Sequence, residues 1–495
     1  MNEDALIDFD SHDVNSAAIL FGESVINYAR FTSDIFVMQE HLHSSVQGQR
    51  LRVGLLVEDQ YWRWILHLAA IRSGHAVLTL RKDRHAFEVQ AAKIDLIVTD
   101  HALEHSGAAR LLEIKLASHA QLAEQWPKYA NAAREENNEK AATRIVFTSG
   151  TTGRPKWVEW DFDSMRSRIH LDGAYLDFDT DTRMYCPQAI HTTNGFRYPI
   201  AAWRFGGCVI LRDMKTPLQT ALFSSNVIRS VPSTFASLLT AAPDAWPGSS
   251  HRHVALGGSR LPKAVMEDAL ARACSRITIS CGSTEAGSIA KGDSSLLLRN
   301  PRCSGYILPN VEVEVVDAND TPQRNGTAGA LRIKTPYMVH SYENDTHIGV
   351  HVFRHGWFYP GDSAIIQDNG LLIMLGRSNH TINVNGHKFS TERIDADLEK
   401  ISGITEHCVV SLPFSSGDRL GVVIAANRNV DAQEIRALLK RHPEATKTLP
   451  LIIQVPEIPK NDMGKVSRAD LTGFIMRQMA ANYKKPLAAE DPKDA

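Results

Sequence analysis

Apolar and polar positions change rhythm along this chain, and the changes mark its elements. Leu51 to Val57 (LRVGLLV) is a short, almost unbroken apolar run, the pattern of a strand buried on both faces. Tyr61 to Ser73 (YWRWILHLAAIRS) has helical spacing, and Gly74 stops it. Ala76 to Leu80 and Ile94 to Thr99 read as further strands. Ile145 to Phe147 is another, entering a loop rich in glycine and threonine. Strands alternating with helices predict an α/β fold with a parallel sheet covered on both faces. The polar run Asn131 to Ala142 reads as a linker or exposed helix.

The alternation continues to about Ile289. Val311 to Val316, Gly329 to Ile333 and Leu371 to Leu375 are then short strands separated by turn residues, which predicts an antiparallel or barrel-like subdomain. Beyond Gly376 the pattern restarts. A helix over Thr391 to Ile401 places Ile394, Leu398 and Ile401 on one face. A strand over Gly421 to Ala425 follows, then a helix from Asp431, where Asp431 and Glu434 have capping-box spacing. The strand Leu451 to Val455 precedes the last helix. The expected organisation is a large N-terminal domain over 1–378, with parallel-type sheets, and a small α+β C-terminal domain over 379–495. The length, 495 residues, agrees with more than one domain.

Composition narrows the function classes. Lysine and arginine number 54 against 56 acidic residues, so there is no electrostatic footprint for nucleic acid, and phosphate binding must come from a local site. The acidic start MNEDALIDFD lacks the basic and apolar regions of a secretion signal. No apolar run approaches the roughly 18 residues of a membrane span. Six scattered cysteines have neither metal spacing nor a disulfide framework, so a reduced, cytoplasmic setting is expected.

The strongest local signal is Thr148-Ser149-Gly150-Thr151-Thr152-Gly153-Arg154-Pro155-Lys156, directly after a buried strand. Glycines let a backbone approach phosphate, hydroxyls and amides donate to it, and the lysine supplies charge. No Gly-Lys-Ser/Thr triplet closes the loop, so it is not a Walker loop. An ordinary polar turn is the competing reading of such a string taken alone.

The string resembles the signature loop of the adenylate-forming superfamily of acyl-CoA synthetases, peptide-synthetase adenylation domains and firefly-type luciferases. Further segments resemble the same family in its order: Gly257-Gly258-Ser259, Gly282-Ser283-Thr284-Glu285, Tyr359-Pro360-Gly361-Asp362, Gly376-Arg377, Asn385-Gly386-His387-Lys388 and Pro459-Lys460-Asn461-Asp462-Met463-Gly464-Lys465. The likeness spans nearly the whole chain and is nearest to an acyl- or aryl-CoA ligase.

The resemblance implies ATP, Mg2+ and a carboxylic acid as reactants, with acyl-AMP as intermediate and a thiol of coenzyme A or of a carrier-protein phosphopantetheine arm as acceptor. It places Thr148 to Lys156 around the β- and γ-phosphates, Thr284 at the α-phosphate and Glu285 on magnesium. Gly258, Ser259 and Arg260 would line the adenine pocket beside Gly282 and Ser283. Asp362 would accept from the ribose hydroxyls, and Arg377 would contact ribose or phosphate. Lys465 would be the catalytic cation bridging carboxylate and α-phosphate. Asn379 marks the hinge of a mobile C-terminal domain, Gly386 the thiol channel and Lys388 a phosphate contact. His191 would gate the acyl pocket; a buried core histidine is the competing reading. Alone, Thr284-Glu285 would read as a helix cap, Asp362 as an Asx-turn and Lys465 as a solvated charge.

Departures from the family pattern are Cys281 at an aromatic position, Trp157 at a glycine, Ala330 at a glutamate and Asn379 at an aspartate. The segment His191-Thr192-Thr193-Asn194 carries no carboxylate, whereas relatives that activate α-amino acids commonly place an aspartate there for the ammonium. The expected acid is therefore an acyl or aryl acid without an α-amino group. Ile190 and Phe196 suit an apolar body, and an acidic residue from another segment is the alternative. Two other function classes stay open: acyl transfer to an amine, and a non-catalytic nucleotide- or acyl-binding homologue.

Overall fold

The computed structural model describes residues 4–103, 109–114, 137–148, 156–213, 215–242, 244–259, 261–300, 303–344, 346–377, 381–384, 387–412, 414, 419–442, 445, 450–460, 466 and 468–483. The chain separates into two compact units. The first comprises Met1–Pro360 with Ala364–Met374, and the second Gly361–Ser363 with Leu375–Ala495.

The first unit carries two sheets. In the smaller, strands run in the order Arg110–Glu113, Leu96–Thr99, Arg52–Leu56, Ala76–Thr79, Thr143–Thr148 and Lys156–Asp161. All pairs are parallel except the last, a hairpin that brackets the glycine-threonine loop. The helix Gln60–Arg72 packs here, capped by Asp59, whose side chain accepts from Trp62 N. Gly74 ends it at φ +79°, a conformation that favours glycine. These elements match the apolar rhythm because both faces of the central strands are buried.

The larger sheet is parallel through Ala17–Phe21, Cys208–Leu211, Arg183–Tyr185, Val227–Ser230, His253–Gly257 and Arg276–Ser283. It becomes antiparallel at Gly287–Asp293 and continues so through Cys303–Ile307 to Leu371–Arg377. Glu312–Val316 pairs antiparallel with Gly329–Lys334, as the turn-separated pattern predicts. Strand carboxyl ends and changes of sheet direction are where α/β folds leave crevices. Here those ends deliver Gly258, Ser259 and Thr284.

The second unit contains a three-stranded sheet, Ile404–Leu412, Arg419–Ala426 and Leu451–Val455, and a separate hairpin of Thr381–Val384 with His387–Ser390. Ile394 and Leu398 of helix Glu392–Leu398 are buried in its core beside Val422 and Ile435. Asp431 caps the helix Ala432–Leu439 by accepting from Gln433 N. Glu434 does not close a reciprocal box, because its carboxylate is held by Arg428 at 3.0 Å. Among the described residues no helix is long and apolar enough to cross a membrane.

Candidate active site

The turn between strands Arg276–Ser283 and Gly287–Asp293 carries Thr284 and Glu285. It is tight because two glycines face each other. A Cβ on Gly282 would lie 2.2 Å from the Gly287 carbonyl oxygen, which is backbone and cannot step aside. The Thr-Glu pair is thus a strand-to-strand turn, not a helix cap. Ser283 Oγ accepts from Ala286 N at 3.0 Å and closes it.

A buried arginine fixes this turn from behind. Arg168, on helix Phe162–Tyr175, donates to the carbonyls of Thr284 at 2.9 Å, Glu285 at 2.8 Å and Tyr337 at 2.6 Å. Its guanidinium also lies 4.5 Å from the Trp160 ring, whose Nε1 donates to Thr284 O at 3.2 Å. Burial, followed by the neighbouring Arg197 charge, pushes Arg168 down to about 9, so it is still a cation near neutrality.

On the open side, Thr284 Oγ1 lies 3.0 Å from Thr193 Oγ1, at the head of helix Thr193–Arg204. Thr192 caps that helix by accepting from Gly195 N at 3.0 Å. Gly195 is required there, because a Cβ would sit 2.1 Å from the Ala189 carbonyl oxygen. Tyr342 donates to Glu285 Oε1 at 2.8 Å. Lys156 Nζ stands 4.8 Å from the Tyr342 ring centroid. Lys156, Thr193, Glu285 and Tyr342 are all under 9% exposed. A lysine, two hydroxyls and a phenol-oriented carboxylate therefore converge from four segments: a site for anionic oxygens and a hard cation.

Thr148 ends the first strand of the hairpin and Lys156 begins the second. Ser149, Gly150, Thr151, Thr152 and Gly153, which connect them, lie outside the described residues, as do Arg260, Asn379, Gly386 and Lys465. Gly258 follows its strand at φ +95°, with Ser259 exposed next to it. His191 is half-buried in the turn before Thr193. Asp362 opens the strand Asp362–Ile366 after Gly361 at φ +79°, Arg377 ends the strand Leu371–Arg377, and Lys388 lies in His387–Ser390.

Trp157 alternates to the opposite side of the strand from Lys156. It packs with Leu78 and Ile97 under the Arg52 guanidinium, 5.3 Å from its ring, so this departure is a core residue. Phe196 is likewise spent on the core, with Arg144 stacked 3.6 Å from its ring centroid and Trp64 beyond. Burial pushes the thiols of Cys186 and Cys408 up to about 11 and those of Cys208 and Cys274 to about 12, so these four rest protonated.

The sequence reading missed Tyr342, Arg168 and Arg197. The signal for Arg168 and Arg197 was a charge on the apolar face of a helix. Tyr342 had none, because its partner lies 57 positions away.

Comparison with known proteins identifies relatives of this chain. Residues 10–343 match the profile described as "AMP-binding enzyme". The chain is 24% identical over 466 residues to the mitochondrial acyl-coenzyme A synthetase ACSM3 of Rattus norvegicus, covering 86% of this chain and 79% of that one. It is 24% identical over 492 residues to tyrocidine synthase 3 of Brevibacillus parabrevis, covering 92% of this chain but 7% of the synthase, so it spans a small part of that relative. Its fold matches the crystal structure of ATP-bound MatB from Rhodopseudomonas palustris with a TM-score of 0.75, at 21% identity over 98% of this chain and 100% of that one. The chain belongs to the AMP-binding enzyme family.

Proposed function

We propose that this protein is an ATP-dependent carboxylate–thiol ligase. It joins a carboxylic acid to AMP with release of pyrophosphate, then passes the acyl group to a thiol of coenzyme A or a carrier protein. The observation that carries this reading is the convergence of Thr193, Thr284, Glu285, Tyr342 and Lys156 from four separate segments.

Both reactants of the first step are anions, so the protein's task is to neutralise and align them rather than to supply covalent chemistry. Thr284 donates to the α-phosphate, and the segment Thr148 to Lys156 surrounds the β- and γ-phosphates. Lys465 bridges the attacking carboxylate and the α-phosphate. Gly258, Ser259, Arg260, Gly282 and Ser283 shape the adenine site, Asp362 accepts from the ribose hydroxyls, and Arg377 assists there. His191 stands at the entrance for the acid.

Magnesium fits the donor set. A single buried carboxylate beside two threonine hydroxyls suits a hydrated cation held by one side chain together with substrate phosphates. Glu285 is that carboxylate, and Tyr342 orients it. Bound there, the ion would neutralise charge building on the phosphates.

In the second step Asn379 is the hinge, Gly386 leaves room for the thiol and Lys388 contacts its phosphate. Coenzyme A or the carrier protein supplies the thiol; of the chain's own cysteines, Cys208, Cys274 and Cys408 are buried and Cys186 is half-buried, and desolvation keeps all four protonated.

The acid lacks an α-amino group. One carboxylate, Asp172, does reach the helix that Thr193 begins, but Arg197 of that helix lies 3.2 Å from it, and Arg168 and Arg229 also act on it. A buried ammonium there would face cations. The test is pyrophosphate release from ATP and Mg2+ with fatty, aromatic, dicarboxylic and α-amino acids. Release dependent on an added acid supports the reading. No release with any acid, or turnover confined to α-amino acids, overturns it.

A further inference from the structure

Arg144 lies on the strand Thr143–Thr148, whose last residue opens the segment assigned to the phosphates. Alternation along that strand puts Ile145 in one apolar cluster, with Leu78 and Trp157, and Val146 in another, with Ile190 and Phe196. Arg144 falls on the Val146 side. It is 1% exposed, and its guanidinium lies 3.6 Å from the Phe196 ring centroid. Burial pushes it down to about 9, so it remains a cation near neutrality. Replacing buried charge by apolar residues of similar volume is often neutral or stabilising, so packing alone gives no reason for an arginine here.

Two acceptors seat it. Nη1 lies 2.8 Å from Nε2 of His67, a fully buried ring on the helix Gln60–Arg72, and Nη2 donates to the Ile190 carbonyl at 2.6 Å. A guanidinium has only donors, so His67 Nε2 accepts and the ring proton sits on Nδ1, 3.4 Å from Thr79 Oγ1. Burial, followed by the Arg144 charge, pushes His67 well below 6.5, which keeps Nε2 open as an acceptor.

Ile190 precedes His191, Thr192 and Thr193 in the turn that enters the helix Thr193–Arg204. The Ala189 carbonyl accepts from Thr192 N at 2.9 Å and from Thr192 Oγ1 at 2.7 Å, and Thr192 Oγ1 accepts from Gly195 N at 3.0 Å. Each of these bonds spans three residues, so they fix the shape of the turn but not its place. The bond from Arg144 spans 46 positions and ties the turn to the strand that feeds the phosphate segment. That strand is held separately at its end, where Thr148 pairs with Lys156 in the hairpin. Loss of the Arg144 bond would therefore let His191 and Thr193 shift while the phosphate hairpin stayed paired, and Thr193 is the residue that lies 3.0 Å from Thr284.

We propose that Arg144, seated by His67, is a positioning residue for the carboxylic acid: it sets the turn of His191 and Thr193 against the phosphate strand, so that the acid binds and reacts in line with the nucleotide. The inference rests on the adenylation reading, in which His191 stands at the entrance for the acid and Thr284 at the α-phosphate. Both residues act from inside the core, through the Ile190 carbonyl.

The experiment uses the full chain. Pyrophosphate release with ATP and Mg2+ is measured for wild type with benzoate, hexanoate, dodecanoate and succinate, and the fastest of these serves as the probe acid. Its kcat/KM is compared in Arg144→Met, His67→Leu and His67→Gln, and the Kd of MgATP without acid is measured for each by calorimetry. Arg144→Met keeps the length of the side chain and loses every donor. Its kcat/KM for the acid should fall about 10- to 100-fold, the worth of a hydrogen bond from a charged group, while the ATP Kd stays within about twofold. His67→Leu should fall in the same direction. His67→Gln, whose Oε1 can accept in place of Nε2, should recover most of the wild-type value. Circular dichroism checks folding; if Arg144→Met is unfolded, the contrast between the two His67 variants decides.

Wild-type kcat/KM in both Arg144→Met and His67→Leu overturns this inference and leaves the adenylation reading standing. An ATP Kd that weakens as much as the acid kcat/KM falls does the same, because the arginine then supports the whole core. Equal losses in His67→Leu and His67→Gln also overturn it, because the acceptor then plays no part. No release by wild type with any acid overturns the adenylation reading, and this inference falls with it.

Discussion

Replacing Tyr342 by phenylalanine removes one oxygen and leaves the rest of the cluster in place. That oxygen donates to Glu285 Oε1 at 2.8 Å, and both residues are under 9% exposed. A buried hydrogen bond to a charged group contributes about 1.5–3 kcal/mol. The ring stays, so Lys156, 4.8 Å from its centroid, keeps its aromatic contact. The loss therefore falls on the orientation of Glu285. Removing a group that orients a metal ligand typically costs about 10- to 100-fold in metal affinity or activity. The expected outcome is an increase of about 10-fold in the Mg2+ concentration giving half-maximal pyrophosphate release, with circular dichroism unchanged. Glu285→Gln, which removes the charge as well, should shift the same curve further. The assay is a Mg2+ titration at saturating ATP and acid. If Tyr342→Phe titrates like wild type and retains full kcat, Tyr342 does not position a metal ligand, and Glu285 is bound to it only as part of the core.

The other predictions test separate parts of the chain. Lys465→Ala should abolish acyl-AMP formation yet spare thioester formation from supplied acyl-AMP, while Gly386→Leu should do the reverse; matching losses in both half-reactions would refute the division of labour. Gly195→Ala forces a Cβ to 2.1 Å from the Ala189 carbonyl, so urea unfolding should show a loss of about 3 kcal/mol, and a change under about 0.5 kcal/mol would refute the crowding. Burial pushes His75 and His253 down to about 4 from the usual 6.5. The unfolded chain takes up protons below pH 6.5 that the folded one refuses until about pH 4. Their contribution is thus fully present above pH 6.5 and lost as pH falls to 4, by about 3 kcal/mol each. His253→Gln should flatten that slope in pH-dependent urea melts, and an unaltered slope would count against it.

Much of the fold was legible because it is written in single elements. The run LRVGLLV and the helical spacing of YWRWILHLAAIRS report burial that each segment experiences on its own, and both elements formed within a residue or two of expectation. The motif order likewise led to the family that the profile match shows. What stayed hidden is carried between segments. Asp172, Arg197 and Arg229 sit on two helices and a strand, and each alone looks like an ordinary polar position. Glu434 has the spacing of a capping box, but Arg428, six residues upstream, binds it at 3.0 Å instead. Phe196 reads as a wall for an apolar substrate until the structure stacks Arg144 against it. Periodicity shows which face is buried and is silent on which neighbour covers it.

The register of strands Arg276–Ser283 and Gly287–Asp293 slips between Cys281 and Gly282. Before the slip stand Thr278 and Ser280, which line a small internal cavity with Asp172 and Tyr198; after it come Thr284 and Glu285, locked by Arg168 and Tyr342. A bulge of this kind re-aims the side chains beyond it, so one residue inserted or deleted between Gly282 and Gly287 would turn Thr284 and Glu285 away from Thr193 and Tyr342 while the strand behind kept its pairing.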